Sequence, residues 1–246
     1  MTRTQIGICF VAGLGVGVLP DLALAQDVTV ALGDSGSLTA RSIQIFLLIT
    51  VLSLAPGIAI MVTCFPFIVT VLSILRQALG LQQSPPNMLI ISLALFLTYF
   101  VMEPVFSKAW IDGIAPLMNE EIDVETAFSR TLEPFRGFMA ARLDPETYQA
   151  MAELRPNAPS TAPTSDSPLS VLVPSFLLSE MARAFQIGFL IFLPFLIIDL
   201  VVAAILMSMG MMMVPPAIVS LPFKLSFFVI ADGWSLIAGS LVRSYF

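Results

Sequence analysis

Residues 209–216 read MGMMMVPP and lie in the middle of forty residues, 184–223, whose only charge is Asp199. Arg183 and Lys224 bound this stretch. A run so long and so apolar belongs in lipid or inside a large hydrophobic assembly. Pro215 and Pro216 forbid one straight helix, because proline lacks the amide donor and disfavours helical backbone in the residue before it. The stretch therefore reads as two apolar helices joined at a methionine-rich bend. The fold class follows: all-α, polytopic and membrane-associated, built from kinked apolar helical hairpins.

The rest of the chain agrees. Of its 246 residues 57% are hydrophobic and 11% charged, which excludes an ordinary soluble domain and a disordered chain. Most of the net charge of −6 falls in residues 108–170, where ten acidic residues face five basic ones. No basic surface of the kind that binds nucleic acid is present. Histidine is absent, which removes histidine-based triads and most histidine-ligated metal sites. Cys9 and Cys64 are the only cysteines, and neither Lys108 nor Lys224 follows a glycine-rich phosphate loop. Residues 33–36 (GDSG) look like a serine-protease nucleophile loop, but no histidine exists to act as the base. No catalytic residue, cofactor or metal is expected, and the chain does not read as an enzyme.

Five segments are expected. Residues 1–25 have the form of a cleavable secretory signal, with Arg3 at the start, an apolar region over 6–19 and Ala-Leu-Ala at 23–25. A retained first helix is the alternative, though Gly13, Gly15, Gly17 and Pro20 make it a poor one. Residues 26–42 form a flexible extension. Residues 43–107 form a first apolar hairpin. Its first arm is kinked at Pro56 and Pro66, its turn contains Arg76, Pro85 and Pro86, and its second arm ends near Glu103-Pro104. Residues 108–174 differ in kind. Phe128, Leu132, Phe135 and Phe138 recur at helical spacing between charges, which predicts amphipathic helices on the extracytoplasmic side, and 156–170 is a Pro/Ser/Thr-rich linker. Residues 175–246 form the second apolar hairpin, turning at the methionines and at Pro215-Pro216.

Two clusters are candidates for function. Asp199 and Lys224 are equidistant from the point between Met211 and Met212, so two helical arms rising ~1.5 Å per residue bring them to the same depth. Pairing is the expected outcome, since an isolated buried carboxylate costs several kcal/mol. Otherwise Lys224 snorkels to an interface and Asp199 faces a wet cavity, or serves a proton relay. Met209, Met211, Met212 and Met213, with Met207 nearby, form the other cluster. Unbranched, adaptable thioethers in a Gly- and Pro-bounded bend suit a gasket that closes an orifice and yields to varied shapes. Core filling and copper handling are the competing readings. Glu180, Arg183 and Asp232, at the ends of the second hairpin, are either interfacial or partners in salt bridges between subunits.

Longer strings now become informative. Residues 75–87 (LRQALGLQQSPPN) followed by 93–98 (LALFLT) resemble the FliP family of flagellar type III export-gate proteins. So do 175–180 (SFLLSE), 184–189 (AFQIGF), 195–200 (FLIIDL), 210–216 (GMMMVPP), 221–224 (LPFK) and 232–234 (DGW). The similarity is dense over 43–107 and 175–246 and poor over the N-terminal extension and the charged segment. The resemblance implies a homo-oligomer of five copies, joined by FliQ-like and FliR-like subunits in a helical cone with a central channel. Unfolded flagellar subunits would pass through it across the bacterial inner membrane at the flagellar basal body. It further implies that the methionine-rich loop constricts the channel, a role that maps onto Met209, Met211, Met212 and Met213. Within the resemblance, an export-gate subunit of a virulence injectisome is the alternative, and the cleavable signal and long outside segment favour the flagellar branch. A secondary transporter using Asp199 is the reading from a different class, and no inverted repeat supports it.

Overall fold

The computed structural model describes residues 38–81, 85–155, 163–211 and 213–246. The expected signal peptide, most of the N-terminal extension, residues 156–162 of the Pro/Ser/Thr-rich linker and Met212 lie outside the described residues. The chain divides into two compact units, Met1–Leu48 and Ile49–Phe246. In the first unit the described part is the opening of helix α1 (Leu38–Met61). All elements below belong to the second unit.

Helix α2 (Phe65–Ala78) begins where the sequence predicts only a kink. Residues 62–64 break the chain, and Pro66 occupies the first turn, where a missing amide costs nothing. The first arm, expected as one helix kinked at Pro56 and Pro66, is thus two helices. Phe67, Ile68, Val71, Leu72, Leu75 and Ala78 fall on the buried face at helical spacing, and α2 is the innermost helix of the unit. Arg76 lies inside its last turn rather than in the connecting loop. The helix stops at Gly80, whose φ of +76° is readily adopted only by glycine.

Helix α3 (Asn87–Ala109) does not end at Glu103-Pro104 but runs through it. A π-helical turn (Trp110–Ile114) and a short helix α4 (Ala115–Met118) continue the same rod. Proline is tolerated inside long apolar helices where neighbours stabilise the freed backbone, and α5 packs here on both α3 and the π-helical turn. At Gly113 a β-carbon would stand 2.1 Å from Thr131 Oγ1 and 2.8 Å from its backbone nitrogen, so only glycine permits this crossing.

Helices α5 (Val124–Arg142) and α6 (Pro145–Glu153) make up the charged segment. Asp123 and Asp144 cap them, accepting from Thr126 N at 3.4 Å and Thr147 N at 2.9 Å. Thr126 and Thr147 hold both carboxyls below their usual range. Phe135 and Phe138 pack on the core as their spacing predicts, whereas Phe128 is 66% exposed. Arg136 donates to the carbonyls of Ser165 and Ser167 and thereby holds the chain returning from the linker.

Helix α7 (Leu169–Ser208) contains forty residues, about 60 Å at 1.5 Å per residue, roughly twice the hydrocarbon thickness of a bilayer. Its first third packs with α5 and α6 around Met139, Leu143, Tyr148, Leu172 and Phe176. The remainder packs on α2 and α8. Gly188 lets α2 approach, since a β-carbon there would meet Ile74 Cδ1 at 2.4 Å. Helices α8 (Pro216–Ile230) and α9 (Gly233–Arg243) complete the fold, bent 61° to each other. Among the described residues, which contain no strand, three helical segments are long and apolar enough to cross a membrane: Arg41–Met61, Asn87–Met118 and Leu169–Ser208. The bent pair α8–α9 makes a fourth if counted as one broken span.

Candidate functional site

The α7–α8 bend is built by two local signals. Gly210, at φ +74°, stops α7: its amide donates to Met207 O at 3.1 Å and that of Met211 donates to Leu206 O at 3.0 Å. This pair of bonds is the Schellman arrangement that satisfies the last carbonyls of a helix. Pro215 then caps α8 and Pro216 fills its first turn. Met207, Met209, Met211 and Met213 have no core to enter. Met209 is 65% exposed and Met213 97%, with Met207 and Met211 also exposed. Core filling within this chain is therefore not their role. At the other turn Pro86 caps α3, with Pro85 in the bend before it.

Below the bend, Asp199 and Lys224 meet. Lys224 Nζ lies 2.6 Å from Asp199 Oδ2 and donates to Ala78 O at 3.1 Å. Ser220 Oγ donates to Asp199 Oδ1 at 2.5 Å. The lysine side chain is 6% exposed and the aspartate 31%, so this is a largely desolvated pair. The ammonium also sits at the C-terminus of α2, where helix carbonyls favour a cation. One lysine thus ties α8 to both α7 and α2. Ser220 precedes Lys224 by four residues, a helical spacing that could have revealed it; Ala78 gives no such signal.

A second polar centre joins α5, α7 and the chain beyond α9. Glu180 is 1% exposed. Arg142 Nε donates to its Oε1 at 3.3 Å and Nη2 stands 3.3 Å from the same oxygen, while Arg183 approaches to 3.7 Å from the adjacent turn. The Tyr245 hydroxyl donates to Glu180 Oε2. Arg142 lies over the Tyr245 ring, 4.0 Å from its centroid, and donates through Nη1 to Ser244 O at 2.6 Å. Burial and the adjacent carboxylate push the Tyr245 phenol far above its usual range, which keeps it a donor. Glu180 and Arg183 therefore meet within one chain, and sequence reading missed Arg142 and Tyr245 entirely. Asp232 stands apart, exposed, in left-handed backbone at φ +48° between α8 and α9. Cys64 is fully buried and its thiol is pushed up to about 12 by burial, which leaves it unreactive.

The arrangement is one of paired charges and hydrogen bonds that tie helices to one another. Among the described residues no three His, Cys, Asp or Glu side chains converge as a metal site. It can hold an exposed methionine tip at a fixed place on a braced hairpin.

Comparison with known proteins bears on the same residues. The model of the FliP family matches residues 48–241. A flagellar biosynthetic protein FliP from Caulobacter vibrioides is 49% identical over 97% of this chain and 90% of its own length. The protein of that name from Agrobacterium fabrum is 51% identical over 92% of this chain and 94% of its own. That from Bacillus subtilis is 49% identical over 84% and 93%. The family match takes in the methionine bend, the Asp199–Lys224 pair and Glu180 with Arg142 and Arg183, while Ser244 and Tyr245 lie beyond it; the chain belongs to the FliP family.

Proposed function

We propose that this chain is a pore-forming subunit of the flagellar type III export gate and passes unfolded flagellar subunits across the inner membrane. Five copies, with FliQ-like and FliR-like subunits, would set the α7–α8 hairpins around a common axis. In that setting Met209, Met211, Met212 and Met213 close the channel, and residues 108–174 lie on the periplasmic side. The role is structural and gating rather than catalytic.

The observation that carries this reading is the exposed methionine tip on a hairpin braced by Lys224. Met213 is 97% exposed in the single chain and so is free to meet a neighbouring subunit, and flexible thioethers seal against varied surfaces. The relatives named above all bear flagellar names, which favours this branch over injectisomes. Asp199 is engaged by both Ser220 and Lys224, which gives a solute-coupling role for it no support.

The test replaces Met209, Met211 and Met213 by alanine in cells that assemble the complex, and measures ion conductance alongside complex abundance. Ion leak at normal abundance is expected, because alanine cannot reach the axis. Tight membranes at normal abundance would overturn the gate assignment.

A further inference from the structure

Helix α9 is held differently from every helix it touches. Gly233, Ile237 and Leu241 are its buried residues, one narrow stripe at four-residue spacing with only two apolar side chains in it. Leu236 is exposed, Trp234 is partly so and sets its ring edge-on against Phe228 of α8 at 5.4 Å, and Val242 lies half-buried against the core. Tyr245 extends the stripe by another four residues, and there the hold changes character. Its ring packs edge-on against Phe67 of α2 at 5.6 Å and stacks on Phe138 of α5 at 6.1 Å. Its hydroxyl reaches Glu180 of α7, and Arg142 holds the preceding carbonyl. Three helices thus converge on one side chain.

At its other end α9 begins at a joint. Ala231 ends α8, Asp232 turns the chain in left-handed backbone, and the two helices diverge by 61°. No side-chain hydrogen bond caps α9 at this point. Turning elements that absorb rotation in a few residues are of this kind. Gly233 is also required sterically, since a β-carbon there would fall 2.2 Å from the Phe228 ring.

We propose that α9 is a hinged strap, pivoting at Asp232-Gly233 and latched by Tyr245, which opens as a unit while α2 and α7 stay folded. The latch closes the α5–α7 junction: with it shut, Glu180 has the phenol and the arginines as partners. With it open, the ring leaves Phe67 and Phe138, the stripe of Ile237 and Leu241 is uncovered, and Glu180 keeps the arginines alone. The device rests on contacts within one chain and stands independently of the export reading.

Amide hydrogen exchange on the full chain in detergent or nanodiscs tests it. In the native protein, amides of 234–243 should exchange faster than those of 67–77, because the strap opens without global unfolding. Tyr245→Phe removes only the hydroxyl that binds a charged group, and should speed exchange in 234–243 about tenfold or more. Amides in 67–77 and 176–188 should stay within about twofold of native. Equal protection of α9 and α2 in the native protein would overturn the proposal, and this comparison decides even if the variant fails to fold. So would Tyr245→Phe accelerating all three helices together, or leaving α9 unchanged.

Discussion

Lys224 and Asp199, twenty-five residues apart in the chain, stand 2.6 Å from each other across the α7–α8 hairpin, and the lysine also caps α2 through Ala78. The two ends of this pair are unequal. Asp199 retains Ser220 and is 31% exposed in the single chain, whereas Lys224 is enclosed. Asp199→Asn leaves a buried ammonium short of its counter-charge, so its cost should fall at the lower end of the ~3–5 kcal/mol typical of broken buried pairs. Lys224→Met leaves a less buried carboxylate that still accepts from Ser220 and should cost less, about 1–2 kcal/mol. The double variant should recover at least ~1 kcal/mol of the summed loss in thermal unfolding of the detergent-solubilised chain. Strict additivity would show that the two charges do not couple.

That pair was legible because helical rise is regular: two charges equidistant from a turn reach equal depth whatever surrounds them. The methionine turn was legible for a similar reason, since Gly210 and Pro216 act on their own neighbours. Contacts across the fold were not. Glu180 finds Arg142 thirty-eight residues before it and Tyr245 sixty-five after it, and no periodicity links those positions. Pro104 misled because a proline stops a helix only when nothing else supports the backbone, and here α5 does. Phe128 shares the spacing of Leu132 and Phe135 but stays exposed in the single chain, as an apolar face turned to the membrane surface or a partner would.

The crossing of α2 and α7 depends on Gly188. A methyl group there would overlap Ile74 Cδ1 at 2.4 Å and press tightly on Cγ2 at 3.1 Å and Cβ at 3.3 Å. Overpacking of this kind typically costs ~1–3 kcal/mol. Gly188→Ala should therefore lower the melting temperature, and Ile74→Ala in the same chain should restore part of it by making room. A melting temperature unaffected by Gly188→Ala would mean that the helices are free to separate.

Asp144 links acid stability to the charged segment. Its carboxylate accepts from Thr147 N and Oγ1, and its own amide donates to Ser179 Oγ of α7 at 3.1 Å. Because Thr147 holds the folded carboxyl below its usual range, the cap contributes fully above the ordinary aspartate pKa of ~3.9 and is lost as pH falls through the lower folded value. The melting-temperature gap between the native chain and Asp144→Ala should stay constant from neutral pH down to about 5 and narrow below about 4. A gap that widens on acidification would reverse the assigned sign.

The methionine tip makes a prediction about stability that is separate from conductance. Met209, Met211 and Met213 are exposed in the single chain, so truncating them leaves no cavity inside it. Substitutions at such surface positions usually change stability by less than ~0.5 kcal/mol each. Leu206, one helical turn before Gly210 and 7% exposed, is the internal control: Leu206→Ala should cost ~2–5 kcal/mol through lost burial and the cavity left behind. The alanine triple variant should melt close to the native chain when each is measured as an isolated subunit, and Leu206→Ala should melt well below both. If the triple variant falls as far as Leu206→Ala, the thioethers pack inside their own chain. A side chain already committed to its own core cannot close an orifice between subunits, and the gate assignment would fail on stability alone, before any current is measured.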